Sequence, residues 1–519
     1  MTASVGKLPK LVLLAWMMSA AVVLPGLWVG KAAGQMLSAQ AAAEHLQILS
    51  HIHSLQPAQS TSGASLPEQH RPEVPNAPAP QAVAAQAARQ GQLVQRQPAV
   101  AYGAGVFLVA WSDGSRQADQ PAADIYCARI DAATGKPLDP QGLCVCAAPD
   151  LQEWPAVAFD GKNFLVVWQD FRSGKHYDIY AARVSPQGKV LDPDGLAVSA
   201  GPNNEARPAV AFAAGSYTVV WMDARQYPVY GIYCARVSPA GQLLDKEAIA
   251  LDVEDAAKIA KLRPPAAQWL GEHDYWWNSL ASRYLPAAAS NGKHCLVVYT
   301  KEYPFASSGR PKPTALLFDP TAGTVLAGPV QLSGGAYSLV AVCPTPQGWA
   351  AALADHAEGW DLSARLAVVR LDRQLQSADS FAKPHSKEKD NLPVEYLEKT
   401  LLPAGCRGLN PGKGALSFWR PAIAWSGDGL LVATDFGWRG RNDPNAISYV
   451  IAANKAALVG GDFLWPRSAV LASTDRADQA VANPALAADP EGKALLVYER
   501  DEAIDRQLIE ALLLSGPNR

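Results

Sequence analysis

Between Trp154 and Ser199 the chain runs PAVAF, FLVVWQDFR, DIYAARV and KVLDPDGLAVS, and this order of short apolar runs recurs with a period of about fifty residues. A unit of that length cannot bury its own apolar faces, so copies must stack on one another, which removes most folds from consideration. Three copies are explicit. Pro98-Ala99-Val100-Ala101-Tyr102, Pro155-Ala156-Val157-Ala158-Phe159 and Pro208-Ala209-Val210-Ala211-Phe212 open them, and the second run ends Trp-x-Asp at Trp111 to Asp113, Trp168 to Asp170 and Trp221 to Asp223. The third run returns as Asp124 to Arg129, Asp178 to Arg183 and Gly231 to Arg236. Rich in β-branched and aromatic residues and bounded by Gly, Pro, Asn and Asp, the runs read as strands.

Weaker copies follow. Leu285 to Ala288 with Cys295 to Tyr299 reads as a fourth, Tyr337 to Val342 with Trp349 to Asp355 as a fifth, Arg420 to Ile423 with Leu430 to Asp435 as a sixth, and Asn483 to Leu486 with Ala494 to Tyr498 as a seventh. Four strands per copy, repeated radially, predict an all-β chain folded as a seven-bladed β-propeller, with six or eight blades as alternatives. The last copy stops after its third strand, Leu508 to Leu514, so a strand from the N-terminal side must close the ring, and Gly91 to Arg96 is the predicted donor. The propeller is then one domain, 91–519, since radial repeats do not split at the usual domain size.

Ahead of it, Lys7 and Lys10 precede an uncharged run from Leu11 to Gly30, and Ala39-Gln40-Ala41 has the small-residue character of a cleavage site. Residues 1–41 are therefore either a signal peptide or a membrane anchor attached through residues 11–30, and either places the rest outside the cytoplasm: secreted, periplasmic or anchored facing outward. Residues 42–90, rich in Pro, Ala and Gln, read as a flexible linker. A formal net charge of −3 with interspersed signs gives no basic stripe, which argues against nucleic acid. The seven cysteines are odd in number, carry no zinc or haem spacing, and read as structural, with one bridge from Cys127 to the strand of Cys144 and Cys146 conceivable. No cofactor or metal is expected.

In a propeller, loops joining strands 2 and 3 share a face with the connections between blades. Long insertions are predicted there, at 254–284 and 382–419, with a further long loop from Lys301 to Pro313. Insertions that the repeat itself does not need are where binding concentrates. The first carries Trp269, Glu272, His273, Asp274, Tyr275, Trp276 and Trp277, a mixture that either stacks on a ligand or packs as a cap. His356 and Trp360 in the fifth copy, and Trp438, Arg439 and Arg441 in the sixth, complete the candidate ligand-binding set. The carboxylates Asp113, Asp170, Asp223, Asp355 and Asp435 recur at equivalent positions, as do Trp111, Trp168 and Trp221 and Arg129, Arg183, Arg236 and Arg370, and recurrence favours structural roles.

The units Trp168-Gln169-Asp170-Phe171-Arg172 and Asp178-Ile179-Tyr180-Ala181-Ala182-Arg183-Val184 resemble repeats of exported bacterial β-propeller proteins of largely unassigned function. That resemblance implies a fold and a cell-envelope or extracellular setting. Sialidases share the propeller plan, but their Ser-x-Asp-x-Gly-x-x-Trp turn is absent: the corresponding turn is Ser185-Pro186-Gln187-Gly188-Lys189. The expectation is a non-catalytic extracytoplasmic binding scaffold that engages a protein or glycan through the insertion face. The alternative is a carbohydrate-active hydrolase or lyase with its site on that face.

Overall fold

The computed structural model describes residues 81–83, 93–114, 122–226, 229–255, 282–302, 311–332, 339–354, 366–375, 394–396, 417–427, 429–439, 447–459, 462–464, 469–473, 480–503 and 506–514. The secondary structure of these residues is all β, in antiparallel four-stranded repeats arranged as a β-propeller. Among the described residues the repeats begin with Leu93–Gly103, Gln152–Phe159, Glu205–Ala213, Ser282–Ser290, Leu339–Thr345, Ser417–Ser426 and Ala480–Ala488. Each of these first strands lies beside that of the next repeat, and the last lies beside the first, so they line a closed ring around the axis. There is no helix among the described residues long and apolar enough to cross a membrane, and the run at 11–30 lies outside them.

Burial explains the composition of each strand. Second strands such as Val106–Asp113, Phe164–Asp170 and Ser216–Asp223 are buried at every position, because neighbouring repeats cover both faces of the sheet, and so they read as continuous apolar runs. The outer strand Thr324–Gln331 has one side in water and alternates accordingly. Trp168 sits with Val106 and Leu108 of repeat 1, and Trp221 with Leu165 and Val167 of repeat 2, so the recurring tryptophans pack between repeats. Gly142 and Gly195 turn at positive φ, and a Cβ on either would come within 3.2 and 3.1 Å of the Trp111 and Trp168 indoles.

The recurring polar groups are structural as well. Trp168 Nε1 donates to Asp170 Oδ2 at 2.8 Å, while Arg172 donates to Asp170 from its backbone, Nε and Nη2 at 2.9, 2.9 and 2.6 Å. Repeat 3 copies this set with Trp221, Asp223 and Arg225. In the third strands, Arg183 grips Asp192 with Nε and Nη2 at 2.8 Å each and extends Nη1 to the Pro239 carbonyl of the following repeat. Arg129 reaches Pro186, and Arg236 reaches Pro320, in the same way. Asp355 lies outside the described residues.

Three expectations change. First, Gly91 to Arg96 is not the closing strand: Gln95 and Arg96 pair with Asp113 and Ser112 as the start of repeat 1, and Leu93–Val94 touch the last repeat in parallel at Arg506–Gln507. Gln81–Ala82 instead pair antiparallel with Ala511 and Glu510, so the closing strand comes from within the stretch read as linker, with Val83 buried in the core behind it. One backbone edge cannot serve two ladders, and the first strand begins earlier than its proline suggests. Second, the insertion read at 382–419 contains a strand, Val394–Tyr396, which pairs with the third strand of repeat 5. Third, no disulfide joins Cys127 to Cys144 or Cys146. A register shift between Ile125 and Tyr126 opposite Cys144 and Cys146 breaks the alternation, leaving Cys144 exposed and Cys146 buried.

Candidate functional site

The first strands other than Leu339–Thr345, which pairs in unbroken register, share an irregularity that the repeat alone does not require. Their register shifts at the X-Pro step, between Arg96 and Ala99, Glu153 and Ala156, Ala206 and Ala209, Tyr284 and Ala287, Phe418 and Pro421, and Ala482 and Ala485. Proline brings no N–H to the ladder, so the strand bulges. The preceding residue takes a positive φ at Gln97 (58°), Trp154 (55°), Arg207 (56°), Leu285 (52°) and Asn483 (52°). Such a conformation costs a side-chain-bearing residue on the order of 1–3 kcal/mol and survives only when its surroundings hold it.

Buried side chains hold it here. Glu499 accepts the Gln97 N–H, Gln97 Oε1 accepts the Trp154 N–H at 2.8 Å, and Gln169 Oε1 accepts the Arg207 N–H at 3.0 Å. Asp435 takes the Arg420 and Asn483 N–H groups on its two oxygens, at 2.7 and 2.9 Å. Asp435 therefore departs from Asp170 and Asp223: it grips bulges of two repeats rather than a tryptophan and a loop arginine.

Each first strand starts where its second strand ends, with Gln95 opposite Asp113, Gln152 opposite Asp170 and Glu205 opposite Asp223. The bulges thus lie at the end of the ring that carries the 2–3 loops and the connections between repeats. Their side chains meet there. The Arg207 guanidinium lies 3.2 Å from the centre of a Trp154 ring, and that of Arg420 lies 4.2 Å from it. Trp154 belongs to repeat 2 and Arg420 to repeat 6, which are not neighbours in the ring, so this contact reaches across the axis.

The electrostatics are unusual for arginine. Burial first, and the like charge of Arg420 second, hold Arg207 well below the ordinary arginine range, against the pull of Glu153 and Tyr177. Burial lowers Arg420 too, with Glu499 and Asp435 opposing. Burial raises both of those carboxyls above their usual range. Glu153 accepts from Tyr177 Oη at 2.9 Å and Gln169 Nε2 at 3.3 Å. This end of the ring therefore holds two cationic forks against an indole, able to donate to a polar ligand, while its acids are engaged by the backbone or by neighbouring side chains. Among the described residues no cluster of His, Cys, Asp and Glu could hold a metal ion.

Of the residues expected to bind ligand, Trp269, His273, Asp274, Tyr275, Trp276, Trp277, His356, Trp360 and Arg441 lie outside the described residues. For Trp438 and Arg439 the backbone is described: they end a second strand longer than expected, Gly429–Arg439, opposite Ser448 and Ile447. Sequence reasoning missed Gln97, Trp154, Arg207, Arg420 and Asn483. The signal was present, since each immediately precedes the proline that opens a repeat and the residue type changes from copy to copy.

No family model and no curated protein matches the sequence. Among solved structures, the chain is similar to a protein of unknown function from Dyadobacter fermentans, at 14% identity and a TM-score of 0.42 over 84% of this chain and 98% of that one. It is also similar to an α-L-arabinofuranosidase from Fusarium graminearum solved with an iminosugar inhibitor, at 10% identity and a TM-score of 0.40 over 85% and 97%. A third is a Penicillium chrysogenum α-L-arabinanase complexed with arabinobiose, at 10% identity and a TM-score of 0.38 over 85% and 99%. Likeness at this level carries no argument about what the present chain binds.

Proposed function

We propose that this chain is an extracytoplasmic β-propeller of seven blades that binds a glycan at the bulge-bearing end of its channel. The carrying observation is one variable position on an otherwise repeated scaffold. Repeats 1 to 3 keep the same Trp-x-Asp corner, whereas the residue before their opening proline is Gln97, Trp154 or Arg207, and it is Leu285, Arg420 or Asn483 in the later repeats that open on a proline. A position that is strained in most copies, varies among them and brings Trp154, Arg207 and Arg420 together across the axis is suited to recognition, because structural repetition would favour sameness. An indole flanked by hydrogen-bonding side chains fits a sugar ring, which presents an apolar face and polar edges. The N-terminal segment supports the extracytoplasmic setting, and the exported bacterial repeat proteins that the units resemble share it.

The reading is tested by a glycan array and thermal-shift screen of the full chain beside Trp154→Ala. Specific binding lost in the variant supports it; binding that survives in the variant refutes the site. A second reading, a glycan hydrolase or lyase, draws on the raised carboxyls of Asp435 and Glu499 near Arg420. Binding is preferred because Asp435 has both oxygens committed to backbone N–H groups. Turnover of a bound glycan that is abolished by Glu499→Gln at unchanged thermal stability would reverse that preference.

A further inference from the structure

Several arginines elsewhere in the described residues are tied to acids. Arg129 grips Asp139, Arg172 Asp170, Arg183 Asp192, Arg225 Asp223 and Arg236 Asp245. Arg207 and Arg420 differ from these: among the described residues neither forms an ion pair. Arg207 is 7% exposed, and its Nη1 is buried without a hydrogen-bond partner among them. Its nearest acid, Glu153, already accepts from Tyr177 and Gln169. The acids beside Arg420 are engaged as well, Asp435 by two backbone N–H groups and Glu499 by that of Gln97.

Two like charges brought together, one of them buried and the other partly so, with their nearest acids engaged elsewhere, form an arrangement that stability alone does not favour. The contact with Trp154 returns part of the cost and at the same time holds both guanidiniums against the indole. An anion reaching the buried Nη1 of Arg207 would supply the missing acceptor, and a planar carboxylate matches a guanidinium fork in two parallel hydrogen bonds. Resting on the glycan-binding reading above, we propose that the ligand is an acidic saccharide whose uronate carboxylate docks on Arg207 and Arg420 where Trp154 holds them.

The test is calorimetric titration of the full chain with trisaccharides of galacturonate, glucuronate and mannuronate, each beside its carboxyl-reduced neutral counterpart and a sulfated neutral trisaccharide. At least one uronate is expected to bind, with reduction of its carboxyl costing tenfold or more in Kd. Arg207→Met and Arg420→Met should each abolish that difference, and Arg420→Lys, which keeps charge without the fork, should keep part of it. Arg207→Met should melt at or above the parent temperature, since it removes a buried unpaired charge; a steep fall in its Tm would mark the arginine as structural and overturn the proposal. Equal binding of the uronate and its reduced form, lost in Trp154→Ala, would overturn the acidic ligand and leave glycan binding standing. Preference for the sulfated sugar would overturn the carboxylate assignment, and no binding of any saccharide on the array or by titration would sink both readings.

Discussion

Asp170→Asn isolates the interaction that repeats 2 and 3 share. The substitution preserves shape but replaces one acceptor oxygen with an amide donor inside a site where Asp170 is fully buried and Arg172 is 22% exposed. If Oδ1 stays in place, Arg172 keeps its backbone and Nε bonds, while Oδ2 loses those from Trp168 Nε1 and Arg172 Nη2. The stranded indole N–H costs about 1–3 kcal/mol, and the lost charge-assisted bond about 1.5–3 kcal/mol. Arg172 relieves part of this through its stacking on Tyr180, 3.8 Å from the ring centre, and through the Asp194 carbonyl. The expected loss is about 3–4 kcal/mol, at the low end of what breaking a buried pair costs. Urea unfolding at pH 7 measures it, and a double-mutant cycle with Arg172→Met isolates the pair, with an expected coupling of about 1.5–3 kcal/mol. A single-mutant loss below about 1 kcal/mol, or additivity within about 0.5 kcal/mol, would refute the reasoning.

Glu205 sets a pH dependence: burial first pushes its carboxyl up to about 7, against the Ser199 hydroxyl and with Asp223 adding repulsion. An acid raised in the folded state stabilises fully below its unfolded value near 4.5 and loses that contribution as pH rises through about 7, so Glu205→Gln should flatten the fall in urea stability between those values. Val83, 1% exposed behind the closing strand, should cost about 2 kcal/mol when cut to Ala, and a midpoint unchanged in urea would contradict closure by residues 81–83. Arg183→Met should cost about 1–3 kcal/mol by removing the Asp192 grip and the reach to Pro239, with little sensitivity to salt because both partners are mostly buried; a loss that vanishes in 1 M salt (roughly a 3 Å screening length) would argue for a surface pair. Native-state maleimide labelling should modify exposed Cys144 and spare Cys127 and Cys146, and equal rates at all of these would contradict the register shift that separates them.

Much of the architecture was legible because the repeat writes the same physics several times. The apolar runs of Phe107 to Trp111 and Phe164 to Trp168 announce strands covered on both faces, and Trp-x-Asp with its following arginine announces a hydrogen-bonded corner. The order of strands within each repeat follows from these local patterns. The closing strand did not, because Gln81 to Val83 owes its place to the unpaired edge at Ala511 and Glu510, a partner hundreds of residues away with no local signature. Nor did the disposition of Cys144 and Cys146, which depends on one extra residue in a ladder that sequence counting treats as regular.

The candidate site divides the same way. Sequence by itself determined that Trp154, Arg207 and Arg420 each precede a proline in a strand-forming copy, and that proline would interrupt the ladder there. Only the tertiary structure decided that these positions share one end of the axis, that an arginine of repeat 6 reaches a tryptophan of repeat 2, and that the nearby acids are already engaged by the backbone. The physical reason is that bulging is a local consequence of a missing N–H, whereas convergence across a ring depends on how many repeats close it and in what register, which no single repeat encodes.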